Sequence, residues 1–535
     1  MPGTRWKLVG VAIVAAVVVA LLSPSRWPDG DRTVEVDVAG YEAEHETRQG
    51  NPTRVLVRAR DEAGNLVRPD LGAVRVTLVL SDGTREIVPV LRWDETNRQY
   101  VAERRAPTDP ALSFALLAAI VVLWVTEATP LWVSSLLVPI VLVGFGAQGA
   151  REALAPFFHP IIALFFGGFL MAESMRRVGL DRRAALLIVA RFGRSPEALF
   201  AAMLGVSAFL SMWMSNTAAT ALLVPIALAV TEPLGHPGYR RAVVLGIAYA
   251  ATLGGTGSAI GTPANPIAIE FLDAFVGHSI SFVGWFAYGL PLVFLFLPVI
   301  GIYLWRRSGV HIDADEFRAT RATAREELAS LGPATRAEWT VLAVFAIVVA
   351  LWLTQQLHGL NTGIVALIGA TMLAVLGKLE EEDLGRISWS ALLTFGGGLA
   401  LGSFLVQSGT SDWVATRFGG LAGLPPIIGI AVTALLALGL TAVASNTATA
   451  AMLVPLAIPL AGILGVDAKT LVLVVAIASS IDFALVIGTP PTMIAYSTRL
   501  FSARDIFKMG IVLDLLGVVL LVTVVVGLWN VLGLL

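Results

Sequence analysis

The chain contains no cysteine and very little charge. Without thiols there is no disulfide framework, no thiolate metal site and no cysteine nucleophile. Its six histidines, at 45, 159, 236, 278, 311 and 358, are scattered and make no metal-ligand spacing. Charged residues are only 14% of the 535, against 56% hydrophobic residues and a mean hydropathy of +0.78. A soluble globular chain does not have that composition, so a polytopic membrane protein is expected, with a lipid bilayer as its surroundings. Arginine pairs such as Arg182-Arg183 lie at membrane boundaries, which argues orientation rather than a nucleic-acid partner. GGTGSAIGTP at 254–263 is glycine-rich like a phosphate cradle, but it lacks the Gly-Lys-Ser/Thr ending and the flanking strand, so no enzyme is expected.

What the chain does have is a repeat. SNTAATALLVPIA at 215–227 returns as SNTATAAMLVPLA at 445–457, with nine of thirteen positions identical. Each copy sits in a long uncharged segment, where a Ser-Asn-Thr triplet has no water to satisfy it and must face protein, an ion or a solute.

In chain order, Arg5 and Lys7 precede an apolar run from Leu8 to Leu22 with no clear small-x-small cleavage site, which reads as a signal-anchor over 1–26 rather than a removed signal peptide. Residues 27–107 are charged and alternate in runs such as TVEVDV, RVLVRAR and VRVTLVL, separated by Ala63-Gly64-Asn65 and Ser81-Asp82-Gly83. Period two with such punctuation predicts a small antiparallel β-sandwich, extracytoplasmic if it follows a signal-anchor. From Ala111 onward the chain is apolar in membrane-length runs, about 11 transmembrane segments in all.

Basic residues set the predicted topology. Placing Arg5 and Lys7 inside collects 21 Lys and Arg on the cytoplasmic face against Arg151, Arg417 and Lys469 in the short outer loops. The N-terminus is then cytoplasmic and the C-terminus extracytoplasmic, in a multi-pass inner-membrane protein. Segment 198–231 is flanked by inside arginines at both ends, so it enters and leaves by one face. Split at its triplet, each arm of about 15 residues rises only about 22 Å, too little for a comfortable crossing. It is predicted to be a re-entrant hairpin with Ser215, Asn216 and Thr217 at its tip, and the segment holding Ser445, Asn446 and Thr447 enters from the opposite face.

Two such hairpins imply an inverted-topology repeat. Phe166-Gly167-Gly168 matches Phe395-Gly396-Gly397, and GTPANPIAI at 261–269 matches GTPPTMIAY at 488–496. The halves are 108–305 and 339–535, joined by a cytoplasmic linker, 306–338; the segment near 179–196, amphipathic with its arginines, reads as a helix along the inner surface. Each Gly-Thr-Pro breaks a membrane-length helix and frees backbone groups, which is tolerated only where protein buries them or a cavity is lined. Carbonyls and Ser, Thr and Asn oxygens suit a small cation; helix N-termini and amide donors suit an anion. One tip and one break per repeat predict two cation sites flanking one anion site.

At LWVTEATPL (123–131), SMWMSNTAAT (211–220), GTPANP (261–266), FGGGLALG (395–402), ASNTATA (444–450) and GTPPT (488–492) the chain resembles the divalent anion:sodium symporter family, the dicarboxylate, citrate and sulfate transporters. The resemblance runs from about residue 111 to 535. It implies an all-α transporter, a homodimer of subunits each with a scaffold and an elevator-like transport domain. It implies two Na+ sites, one at Ser211, Ser215, Asn216 and Gly261, the other at Thr441, Ala444, Asn446 and Gly488. Substrate contacts would fall on Asn216, Thr217, Thr262, Asn446, Thr447, Thr489 and Pro490. The offset of 230 pairs Ser211 with Thr441 without appeal to the family.

Two positions depart. Thr492 stands where the first repeat has Asn265, and Asp482, in an uncharged run, stands where the first repeat has Gly255. An intramembrane carboxylate is a functional candidate, so Asp482 is either a cation ligand or proton carrier, or it faces a water-filled vestibule or a basic neighbour. Glu127, Glu173 and Asp514 lie nearer predicted helix ends, where snorkelling or capping explains them. The function expected is secondary active symport of a divalent anion with sodium, most readily a C4-dicarboxylate such as succinate. The alternatives are sulfate symport, sodium-independent dicarboxylate exchange or proton symport, and, in another class, an anion channel.

Overall fold

The structure, a computed structural model, describes residues 9, 11–16, the eight strands between 32 and 104, 110–192, 195–232, 235–309, 325–326, 328–421, 423–486 and 488–535. Most of the predicted signal-anchor, both predicted sheet turns and residues 310–324 of the predicted linker lie outside them. The chain divides into two compact units: Met1–Ala12, Ile120–Ser403 and Asp412–Leu535 in one, Ile13–Ala119 and Phe404–Ser411 in the other.

In the second unit the alternating segments are strands. One sheet joins β1 (Arg32–Val38), β5 (Val74–Leu80) and β6 (Arg85–Val88), and another joins β2 (Glu42–Arg48), β3 (Thr53–Arg60), β8 (Gln99–Arg104) and β7 (Val90–Asp94), with β4 (Leu66–Val67) also on β3. All pairings are antiparallel, and Val34 faces Leu78 while Val36 faces Val76. Along β3, Val57 and Ala59 are buried while Arg58 and Arg60 are only partly so, the period-two pattern that the run RVLVRAR implies.

The first unit is helical, and its surface is inside out relative to a soluble protein. Ile140, Phe294 and Val375 are exposed, whereas Ser211, Thr441 and Asp482 have no exposure at all. Such a surface fits a hydrocarbon surround. Six helices among the described residues are long and apolar enough to cross a membrane, and seven more apolar helices are shorter.

The repeat is visible in the order of helices. Pro160–Arg177, Leu180–Phe192, Pro196–Ser211 and Asn216–Thr231 are followed, 229 or 230 residues later, by Trp389–Gln407, Thr410–Thr416, Pro426–Thr441 and Asn446–Leu464. Then Pro237–Gly254 and Ala264–Phe271 in the first half correspond to Ala468–Ala478 and Pro490–Ser497 in the second.

Contacts sort these helices into two groups. Pro160–Arg177 packs on Thr362–Val375, and both touch Arg336–Leu353. Close approach there needs glycine: a Cβ on Gly167 would stand 2.6 Å from the Ala366 backbone. The hairpins and broken helices pack on one another, with the repeats interlocked. Ala264–Phe271 of the first break lies against Asn446–Leu464 of the second hairpin, and Pro490–Ser497 of the second break lies against Asn216–Thr231 of the first.

Ion pairs tie the ends of these helices down. Arg183 sits on the helix read from sequence as a surface segment, yet it is buried: its Nε donates to Glu338 at 2.5 Å and its Nη atoms donate to the carbonyls of Gly332 and Leu331. It is thus a structural anchor between the first half and the end of the linker, where the helix Arg336–Leu353 begins, not only an orientation charge. Glu173 is 9% exposed and bonds Arg176 and Arg386, so it belongs to an ion network rather than snorkelling to water. Arg177 pairs with Asp383 at 2.9 Å in the same network. Burial pushes the Asp383 carboxyl up, but the Glu380 amide and the Arg177 and Arg386 guanidiniums outweigh it and hold it below its ordinary range. Its contribution is present above the ordinary carboxylate pKa of about 4 and is lost as pH falls through the lowered value.

Breaking the buried Arg183–Glu338 pair from one side leaves a charge without a partner. Arg183→Ala is expected to destabilise the helical unit by about 3–5 kcal/mol, read as a lowered melting temperature in detergent. Arg183→Met combined with Glu338→Leu removes both charges and is expected to recover most of that loss.

Candidate functional site

Both triplets fall at the same place in a helix-turn-helix. The helix Pro196–Ser211 ends, a short turn follows, and Ser215 N-caps Asn216–Thr231 with its Oγ accepting from the Ala218 amide at 3.2 Å. In the second copy Ser445 caps Asn446–Leu464, accepting from Ala448 at 3.2 Å. Ser is the N-cap, and Asn and Thr are the first two helical residues, where backbone amides point outward without intrahelical partners and the helix dipole is positive. Each hairpin therefore aims an anion-attracting terminus at its own tip.

Behind each tip the asparagine is oriented by the residue five positions earlier. Ser211 Oγ donates to Asn216 Oδ1 at 2.6 Å, and Thr441 Oγ1 lies 2.8 Å from Asn446 Oδ1 and 2.5 Å from the Ser479 carbonyl. The offset of 230 between Ser211 and Thr441 is thus a geometric equivalence.

The breaks complete the arrangement, and each is held differently. In the first, Asn265 Nδ2 donates to the carbonyls of Gly255 at 3.1 Å and Ser258 at 2.7 Å, and Trp285 Nε1 donates to that of Thr256 at 2.9 Å. In the second, Thr492 cannot do what Asn265 does. Its hydroxyl bonds Thr489 Oγ1 at 3.0 Å instead. The freed backbone there is taken up by Tyr249, whose hydroxyl donates to the Phe483 carbonyl at 2.9 Å, and by Asp514, which accepts from the amides of Phe483 at 2.8 Å and Ala484 at 3.1 Å.

Asp514 corrects the sequence reading. It is 1% exposed inside the helix Ala503–Leu520, so it neither snorkels nor caps its own helix; it caps the neighbouring break. The partners lie about thirty residues upstream, and spacing along the chain gives no hint of them; the signal available was a lone carboxylate in an apolar run. Glu127, by contrast, is an exposed residue just past the helix Pro110–Thr126, as expected.

The expected first cation set is brought together. Gly261 lies against the Ser211 carbonyl, and a Cβ on Gly255 would stand 2.5 Å from Asn216 Oδ1 and 2.9 Å from the Gly261 carbonyl. Ser215 is half-buried at the tip. These are neutral oxygens of the kind a small hard cation takes, and the residues fit such an ion. In the second set Thr441 and Asn446 are in contact, Ala444 is buried in the turn, and Gly488 abuts the Asp482 carboxylate. No cluster of His, Asp and Glu that would hold a transition metal occurs among the described residues.

Of the expected substrate contacts, Thr217 is exposed and Thr447 is 9% exposed. Thr262 is buried 3.2 Å from Ser480 Oγ, which joins the two breaks directly. Thr489 is buried on Thr492, and Pro490 is exposed at the start of its helix.

Asp482 has no exposure, and no ion pair reaches it among the described residues. Neither oxygen has a hydrogen bond of ordinary geometry there; the Leu485 amide lies nearby. The vestibule or basic-neighbour reading of this residue is therefore not what the structure has. A separate cavity of about 280 Å³ is lined by Arg241, Arg307, Asp505 and Lys508, and none of the candidate site residues reaches it.

The family model described as citrate transporter matches residues 121–478. The chain belongs to the divalent anion:sodium symporter family. It is 33% identical over 434 residues to the sodium-dependent dicarboxylate transporter SdcS of Staphylococcus saprophyticus, covering 75% of this chain and 83% of that protein. To SdcS of Staphylococcus aureus strain bovine RF122 it is 31% identical over 451 residues, 78% of this chain and 86% of the relative. Among solved structures, the YdaH transporter of Alcanivorax borkumensis aligns with a TM-score of 0.51 at 14% identity over 76% of this chain and 99% of that one. MtrF of Neisseria gonorrhoeae aligns with 0.52 at 10% identity, over 77% and 97%. These two likenesses concern the fold alone. The chain is a multi-pass membrane transporter and not an enzyme.

Asp514→Ala would leave the Phe483 and Ala484 amides buried without acceptors. At about 1–3 kcal/mol for each unpaired group, a loss of about 2–6 kcal/mol is expected, measured by thermal unfolding in detergent, whereas Asp514→Asn retains one acceptor and loses less.

Proposed function

We propose that the protein takes up a C4-dicarboxylate such as succinate together with sodium, moving both by an elevator-type displacement of the hairpin-and-break group against the helices around Thr362–Val375. The observation that carries this reading is the duplicated tip: two capped helix N-termini, each with an asparagine oriented by a hydroxyl from the preceding arm. The relatives' printed names, sodium-dependent dicarboxylate transporter, supply the ion and the substrate class. Each helix group makes most of its contacts within itself, with Leu180–Phe192 and Phe282–Ser308 touching both, which supports a relative displacement.

In this reading the two cation sites are Ser211, Ser215, Asn216 and Gly261, and Thr441, Ala444, Asn446 and Gly488. Filling them cancels charge beside the place where a dianion must sit, which lowers the cost of holding that dianion away from water. Asn216 and Thr217 from one tip and Asn446 and Thr447 from the other then donate to the two carboxylates, with Thr262, Thr489 and Pro490 closing the ends. A flexible chain of two carboxylates spans two opposed termini better than a compact tetrahedral anion, which favours a dicarboxylate over sulfate. Tips that enter from opposite faces, the β-strand segment outside, the N-terminus inside and a homodimer complete the proposal. Residues 1–26 would anchor the chain, 27–107 would form the sandwich, and 306–338 would link the halves.

The test is uptake of labelled succinate into proteoliposomes under an imposed sodium gradient, a proton gradient, both or neither. Sodium-driven, saturable uptake with counterflow is expected, and Asn216→Ala and Asn446→Ala are each expected to reduce it at least tenfold, since each removes one oxygen ligand and one donor. Uptake that follows protons alone, or that needs only internal dicarboxylate, contradicts sodium symport. Conductance without counterflow would make the protein a channel.

A further inference from the structure

The two cation sites of this reading are built from equivalent positions, but one position carries different chemistry. Ser211 matches Thr441, Asn216 matches Asn446, Gly261 matches Gly488, and Gly255 matches Asp482. In the first repeat, a side chain at 255 would point at Asn216 Oδ1, 2.5 Å away, and at the Gly261 carbonyl. Position 255 thus faces the hairpin asparagine and the break glycine together. In the second repeat that position bears a carboxylate, and the carboxylate lies directly against Gly488.

Its surroundings do not otherwise account for it. Asp514, the neighbouring buried carboxylate, is satisfied by two backbone amides and explains itself as a cap. Among the described residues, Asp482 has no exposure and no hydrogen bond of ordinary geometry to either oxygen, with only the Leu485 amide nearby. A fully buried carboxylate without a partner is strongly destabilising as a charge, so inside a membrane protein it marks a candidate functional position.

We propose that Asp482 is a direct carboxylate ligand of the cation in the second site, so that this site is anionic where the first is neutral. The inference rests on the sodium-coupled reading above. It makes the two sites unequal: the second binds its cation as an ion pair and fills at lower concentration, while the first binds through neutral oxygens alone. Gly488 has a matching reason to lack a side chain, because a Cβ there would occupy the space of the carboxylate.

The experiment measures the melting temperature of the purified full-length protein against sodium concentration, with choline chloride holding ionic strength constant. Wild type is compared with Asp482→Asn, which keeps the shape, and Asp482→Gly, which copies the first repeat and serves if the first variant does not fold. Two results are expected together. Loss of one charged ligand raises the half-stabilising sodium concentration about tenfold or more. In sodium-free buffer the variants melt above wild type, because an uncompensated buried charge is gone, and in saturating sodium the order reverses. A half-stabilising concentration unchanged from wild type, or variants less stable under both conditions, overturns the proposal and leaves sodium coupling standing. A wild-type protein that sodium does not stabilise at all contradicts the coupling reading itself.

Discussion

The constraint on which the site depends is that backbone amides and carbonyls cannot be left unpaired inside a bilayer. A transporter of small ions and anions needs free backbone groups and helix ends at depth, and every such group not offered to cargo must be bonded by protein. In this chain the unwound residues after Gly254 and Ala478 meet that demand with side chains drawn from elsewhere: Asn265 and Trp285 for one break, Tyr249 and Asp514 for the other. Remaining donors and oxygens, at the two hairpin tips and around Gly261 and Gly488, are the ones the proposed function offers to cargo.

The interlocking of the repeats follows from the same demand. Each break packs on its own hairpin, Gly261 against the Ser211 carbonyl and Ser479 against Thr441, and also on the other half's hairpin, and Thr262 of the first touches Ser480 of the second. In the proposed reading, a pair of inverted units that cover each other's broken backbone would form one site with two ends. Duplication then lets each end diverge. Thr492 stands where the first repeat has Asn265, with Asp514 supporting the second break, and Asp482 stands where it has Gly255, which puts a charge where its counterpart has none.

Much of this was legible in the sequence, because the informative residues are rare in their setting. Three polar residues in an apolar segment, seen twice at a separation of 230, mark the turns between paired helices, and Gly-Thr-Pro marks the breaks. The alternation in RVLVRAR gave β3 directly. What could not be read is pairing between residues far apart in sequence. Asp514 looked like any carboxylate near a helix end, and Arg183 looked like one more inside charge, because their partners at 483 to 484 and at 338 are brought to them only by packing. Length is also a poor guide to crossing: Asn446–Leu464 is long enough to span, while its equivalent Asn216–Thr231 is shorter.

The central claim is that the anion lies between the two capped tips. The most direct measurement is a cryo-EM structure in lipid nanodiscs with saturating sodium and succinate. The account predicts anion density in contact with Asn216 and Thr217 on one side and Asn446 and Thr447 on the other. Anion density in the basic cavity lined by Arg241, Arg307 and Lys508, with the tips free of it, would contradict the account.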